Sequence, residues 1–210
     1  MRSLSLKAYK ALSRNASDAG QQTRPSRPPG VLIWIMVHHE EELRAALYLH
    51  DRLVQTHGPS SLLLTLLWDT PLTEPQGVLC ERLASDQTQY AQGFLDHWQP
   101  DICIWMSGNL KPSLIAEARS RKIPLFLLGA ESESLERSTG RWVPGLTRDT
   151  LGAFDLITAA SPEAERMMRK ALPRSGDIQL SAPLQIASPA PPVAQDRFQD
   201  LSDMISGRSV

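Results

Sequence analysis

Six short apolar runs recur along this chain of 210 residues, at 31–37, 61–67, 101–106, 125–128, 156–159 and 178–181. Each has the length of a strand, and the segments between them are long enough to hold a helix. Strands alternating with helix-sized connections predict parallel pairing through right-handed crossovers, because a hairpin cannot join parallel neighbours. The fold class expected is α/β, a Rossmann-like parallel sheet layered with helices.

Finer patterns support that layering. Residues 40–57 place Leu43, Ala46, Leu47, Leu49, Leu53 and Val54 on one helical face, and Gly58-Pro59 ends the helix. Tyr90, Phe94 and Trp98 recur every four residues, which predicts a helix over 85–98 whose aromatic stripe is core. Residues 68–77, with Asp69, Pro71 and Pro75, read as a loop. Ser161-Pro162 caps a further helix. Residues 15–30 are rich in Ser, Gln, Pro and Arg and read as a flexible connection; 188–192 read as an extended Pro-rich linker, and 195–205 as an amphipathic helix. The expected organisation is a basic helix and linker at 1–30, a Rossmann-like domain at 31–187, and a linker and helix at 188–210 leading toward another domain.

Charge and cysteine usage narrow the function. With 22 basic and 23 acidic residues the net charge is −1, so no global field draws the chain to nucleic acid. No run reaches the ~20 apolar residues of a membrane-spanning helix. The first thirty residues nevertheless carry Arg2, Lys7, Lys10, Arg14, Arg24 and Arg27 against Asp18 alone. Leu4, Ala8 and Leu12 recur at helical spacing, so this helix either lies on an anionic surface or packs on the domain. Cys80 and Cys103 lack metal-site spacing and, with no signal peptide, read as structural thiols in a reducing compartment.

The ligand edge is expected after the run at 101–106. There the apolar strand opens into Ser107-Gly-Asn-Leu-Lys-Pro-Ser113 before the next helix, the way an open α/β sheet presents a binding loop. A second polar group, His38-His39-Glu40-Glu41-Glu42, follows the run at 31–37. His-Glu-x-x-His would need a histidine at position 43, which is Leu43, so no metal site is expected. Neither a G-x-G-x-x-G nor a Walker sequence nor a serine nucleophile elbow occurs, and no cofactor is implied. The three glutamates are placed to interact with a helix dipole.

The order of these segments resembles the N-terminal domain of the 3-deoxy-D-manno-octulosonic acid (Kdo) transferases of lipopolysaccharide assembly. Family members have an Ile-Trp-Ile-type strand followed by His-Ala-Val-Ser-Val-Gly-Glu; here Ile33-Trp34-Ile35 is followed by Met-Val-His-His-Glu-Glu-Glu42. The family's Met-Glu-Ser/Thr-Glu-Leu-Trp-Pro-Asn-Leu-Ile resembles Met106-Ser-Gly-Asn-Leu-Lys-Pro-Ser-Leu-Ile115, and its basic-Ile-Pro-Leu strand resembles Lys122-Ile123-Pro124-Leu125. The chain departs from that pattern at Glu41, where the family has Gly, at Ser107 and Asn109, where it has acids, at Lys111, where it has Trp, and at Glu131, where it has Arg.

The resemblance implies the N-terminal half of a GT-B glycosyltransferase, holding a lipid A precursor at the cytoplasmic face of the inner membrane while a C-terminal domain holds CMP-Kdo. It implies Glu42 as the base for the attacking hydroxyl, and like-charge repulsion from the neighbouring Glu40 and Glu41 is expected to raise its pKa. It puts His38, His39, Ser107, Asn109, Lys111 and Ser113 on the acceptor, with peripheral membrane contact through residues 1–14. The lost acidic and glycine positions leave a second reading, a catalytically silent module that partners a glycosyltransferase or a lipid headgroup.

Overall fold

The computed structural model describes residues 4–12, 24–66, 75, 77–83, 86–139, 144–172 and 178–181. The linker and helix expected at 188–205 lie outside them, as does most of the loop at 68–77.

Seven parallel strands form one sheet, in the order β3-β2-β1-β4-β5-β6-β7. They are β1 (Leu32–Val37), β2 (Ser61–Leu66), β3 (Leu79–Arg82), β4 (Ile102–Met106), β5 (Leu125–Ala130), β6 (Leu156–Ala159) and β7 (Ile178–Leu180). Six answer to the apolar runs. β3 was not visible in the sequence, because this short edge strand carries Glu81 and Arg82 and shows no apolar run. The helices are α1 (Leu4–Leu12), α2 (Glu40–His57), α3 (Thr88–Trp98), α4 (Pro112–Ser120), α5 (Ser132–Thr139), α6 (Pro144–Leu151) and α7 (Pro162–Ala171). The Ser161 hydroxyl accepts from Ala164 N at 3.2 Å, the cap expected there.

The strand period of two sorts β1 between two cores. Leu32, Trp34 and Met36 face the layer that holds α3, α4, α6 and α7, whereas Ile33, Ile35 and Val37 face α2. Trp34 anchors the first core: its ring centroid lies 5.1 Å from Phe94 and 6.2 Å from Trp105, and its Nε1 donates to Thr65 Oγ1 at 2.8 Å. The aromatic stripe of α3 is core as expected, with Phe94 and Trp98 buried and Tyr90 packed at its margin. On the second face α2 covers β1 and β2 and leaves an apolar cavity of about 490 Å³ beside it, lined by Ile33, Leu53, Ile102, Ile104, Phe126 and Leu128.

Part of the stretch read as a flexible connection is tethered. Arg24 pairs with the buried Glu81 at 2.7 Å, and Arg27 donates to Trp98 O at 2.9 Å and to Asp101 Oδ2 at 3.1 Å. Glu81 also accepts from Tyr90 and Trp98, so one strand-edge carboxylate gathers the N-terminal segment onto α3. Helix α1 packs against α4 and α6. Tyr9 donates to Asp86 at 2.9 Å, Lys10 pairs with Glu117 at 2.6 Å, and Ser5 lies against Gly145, where a Cβ would force the Ser5 hydroxyl to turn away. This is the packed alternative for the basic helix; Leu4, Lys7 and Ala8 remain exposed on its outer side.

Candidate functional site

The chain leaves β1 toward β2 on one side of the sheet and leaves β4 toward β5 on the other. Because β1 and β4 pair directly, Met36 opposite Trp105, the loops after them diverge, the arrangement that in open α/β sheets leaves a crevice at the carboxyl edge. This topological switch point is where open α/β sheets hold their ligands.

Three of the residues singled out above meet there. Glu42 lies in the first turn of α2, and its Oε2 accepts from His38 N at 2.5 Å, a reach back toward the preceding backbone like that of a capping box. Ser107, at the end of β4, donates its hydroxyl to Glu42 Oε1. His38 Nδ1 stands 3.3 Å from Oε2, within ion-pair range but outside hydrogen-bond geometry, and neither ring nitrogen has a hydrogen-bond partner in the buried ring's surroundings. The Glu42 side chain keeps 11 % of its surface exposed, so it is not sealed from solvent.

Burial pushes the Glu42 carboxyl up, but the His38 ring, the Ser107 hydroxyl and the His38 backbone N–H together outweigh it and hold the group below the usual glutamate value. The upward shift expected from Glu40 and Glu41 does not occur. Both are exposed and water screens them, and Glu40 pairs instead with Arg44 at 3.6 Å. Glu42 is a carboxylate at neutral pH, able to take a proton.

The remaining candidates spread out from that cluster. His39 is exposed at the N-cap of α2 and makes no side-chain cap bond. Asn109 is half-buried with a left-handed backbone, φ 48°. Lys111 is half-buried, and its charge acts on Asp86. Ser113 departs from the expected cleft wall: it is fully buried in α4, its N–H donates to Asp86 at 3.3 Å, and its hydroxyl has no hydrogen-bond partner.

Asp86 escaped the sequence reading. It accepts from Ser113 N, from Leu114 N at 3.1 Å and from Tyr9, and so caps α4 from a distance. Burial pushes its carboxyl up to about 6 against those donors and the nearby Lys111 charge. A cap that lies 28 residues from the N–H it serves leaves no local signal. Gly108 also went unremarked: its φ is 140°, and a Cβ there would stand 2.9 Å from Ser134 Cβ.

A doubly wound parallel sheet with a polar cluster at its switch point defines a Rossmann-like α/β domain. Residues 9–187 match the family model described as 3-deoxy-D-manno-octulosonic-acid transferase (kdotransferase), and the chain belongs to that family. It is 30% identical over 142 residues to an Arabidopsis thaliana protein named "Probable 3-deoxy-D-manno-octulosonic acid transferase, mitochondrial", a match that takes in 64% of this chain and 32% of that one. The chain thus spans about a third of the curated relative it matches. Among solved structures it is similar to a Listeria monocytogenes protein described as a UDP-N-acetylglucosamine 2-epimerase, with TM-score 0.47, 12% identity and coverage of 70% of this chain and 44% of that one. It is also similar to UDP-GlcNAc 2-epimerase from Neisseria meningitidis, with TM-score 0.45, 12% identity, and 73% and 47% covered.

Proposed function

We propose that this chain is the acceptor-side half of a Kdo-transferase-like glycosyltransferase of the GT-B kind. In this reading a lipid A precursor lies in the crevice and CMP-Kdo sits on a separate donor domain. The acceptor oxygen bonds to the anomeric carbon of Kdo, the bond from that carbon to the phosphate breaks, and CMP departs with the electron pair. The acceptor's O–H proton passes to Glu42. A carboxylate held below its usual pKa is a weak proton acceptor, so the proton leaves late, once the new C–O bond has made the hydroxyl acidic. His39, Asn109 and Lys111 offer donors at the rim for hydroxyl or phosphate oxygens.

The observation that carries this reading is an ionised carboxylate at the switch point of a sheet whose chain matches the Kdo transferase family. Joined to a donor domain, the chain is expected to transfer Kdo, and Glu42→Ala is expected to lower kcat by at least 100-fold, on the order of a lost general base. A rate unchanged in that variant rejects the role.

The place proposed is cytoplasmic, peripheral to the inner membrane, with residues 1–14 as the contact. Support comes from the exposed Leu4 and Lys7 on α1, and no described helix is long and apolar enough to span a bilayer. The double variant Leu4→Asp, Lys7→Glu should then release the chain from vesicles of anionic lipid; equal binding by both proteins argues against the contact.

One observation favours the silent-module reading: both Glu42 oxygens already accept bonds from the protein. A chain that binds the precursor equally well with and without Glu42, while its donor-joined form shows no transfer, would fit that module.

A further inference from the structure

We infer that Ser107 is a positioning residue for Glu42, its hydroxyl aimed at the carboxylate by a backbone conformation that the neighbouring strands lock. The inference rests on the reading of Glu42 as the proton acceptor, and it moves Ser107 from the acceptor to the base.

The backbone makes the first part of the case. Ser107 has φ 57°, a left-handed conformation that disfavours any residue with a Cβ. Such strain persists where the surroundings over-determine it. Ser107 N donates to Leu128 O at 3.0 Å, and Ser107 O accepts from Glu131 N at 2.9 Å, so β5 and the residue after it grip both sides of the peptide. The next residue, Gly108, is pinned by Trp105 Nε1 donating to its carbonyl at 2.7 Å and by the wall of Ser134. Gly129, φ 62°, meets this backbone demand with glycine, and Gln99, Asn109 and Lys122 meet it with side chains, at φ 42°, 48° and 61°. Position 107 has the same demand and carries serine.

What serine adds to glycine here is a hydroxymethyl group, whose hydroxyl donates to Glu42 Oε1. The residue is only 9% exposed, and its one hydroxyl proton is already given to Glu42. Its geometry complements the bond from His38 N to Oε2: one donor on each oxygen fixes the plane of the carboxylate.

The test is carboxyl titration by NMR on the chain carrying ¹³C-labelled glutamate, with Glu42→Gln used to assign the signal. Wild-type Glu42 should titrate below an ordinary glutamate. In Ser107→Gly and in Ser107→Ala its midpoint should rise by about half to one pH unit, the share of one lost donor. Ser107→Gly should melt higher than Ser107→Ala, because glycine accepts the left-handed backbone without strain. Should Ser107→Ala fail to fold, Ser107→Gly decides alone. A Glu42 midpoint that is the same in wild type and in Ser107→Gly overturns the inference, since a purely structural serine would change melting without moving that titration. Failure of the base reading looks different: a donor-joined Glu42→Ala protein keeps its rate, while the Ser107→Gly shift in the isolated chain still stands.

Discussion

Glu42 and Asp86 are two carboxylates that folding takes out of water, and the protein moves them in opposite directions. Glu42, at the switch-point crevice, is held below the usual value; Asp86, beneath α1, is pushed up to about 6. Donor number does not explain the difference, because Asp86 accepts from Tyr9, Ser113 and Leu114 and has Lys111 nearby. Its carboxyl is walled in by α1 and α4, and loss of solvation outweighs those donors. Glu42 keeps part of its side chain exposed and has an imidazole 3.3 Å away. One site thus holds its carboxylate charged, and the other tolerates a charge in order to cap a helix.

The largest effect is expected on the Glu42 side, from Gly108→Ala. The added Cβ meets Ser134 within a backbone conformation that L side chains rarely adopt, so the loop under Ser107 must move. A loss of roughly 3 kcal/mol is expected in urea unfolding, from overpacking and strain together. The same change should raise the Glu42 midpoint, which ties that carboxylate's state to the loop.

Next is the pH dependence, which has opposite signs at the two sites. Asp86 has a folded value of about 6 above its ordinary 3.8, so between those values the folded chain binds a proton that the unfolded chain does not. Its contribution to stability is full below about pH 4 and is lost as pH rises through about 6. Glu42 has a lowered folded value; its contribution is present above the ordinary 4.5 and is lost as pH falls through the folded value. Stability measured from pH 4 to pH 7 should therefore decline less steeply in Asp86→Asn, by on the order of 2 kcal/mol across that range. Asp86→Asn keeps an acceptor for Leu114 N, whereas Asp86→Ala strips the cap and should cost about 1 to 3 kcal/mol. Equal pH slopes in wild type and Asp86→Asn would dissolve the contrast between the two pockets.

The smallest effect is expected from Tyr9→Phe. It removes one donor from Asp86 and one tether of α1, with a cost of about 1 kcal/mol or less and a further rise of the Asp86 midpoint. An unchanged midpoint would mean that α1 does not rest on Asp86 in solution.

Much of this architecture was legible along the chain. The apolar face at 40–57 matches α2 end to end, because eighteen residues of helical periodicity closed by Gly58-Pro59 need no tertiary context. Ser161 caps α7 for the same local reason. At the site, the polar clusters after β1 and β4 were visible as strands breaking into loops, and Glu42 stood out through its correspondence with a family position. The Glu42 shift was misjudged because sequence neighbours were taken for spatial ones. Glu40 and Glu41 point to water, while Ser107, 65 residues away, touches the carboxylate.

Periodicity and capping are properties of consecutive residues, so the amino-acid order settles which segments become helices and which become buried strands. β3 is legible only from its neighbour, since a four-residue charged strand acquires its identity by pairing with β2. Asp86 as a distant cap, Arg24 gathered onto Glu81, Ser107 turned toward Glu42 and the direction of each carboxylate's shift depend on which groups the sheet order brings together and how much water remains beside them. Hydrogen bonding and desolvation act through distances in space, and those distances exist only once β1 and β4 lie side by side.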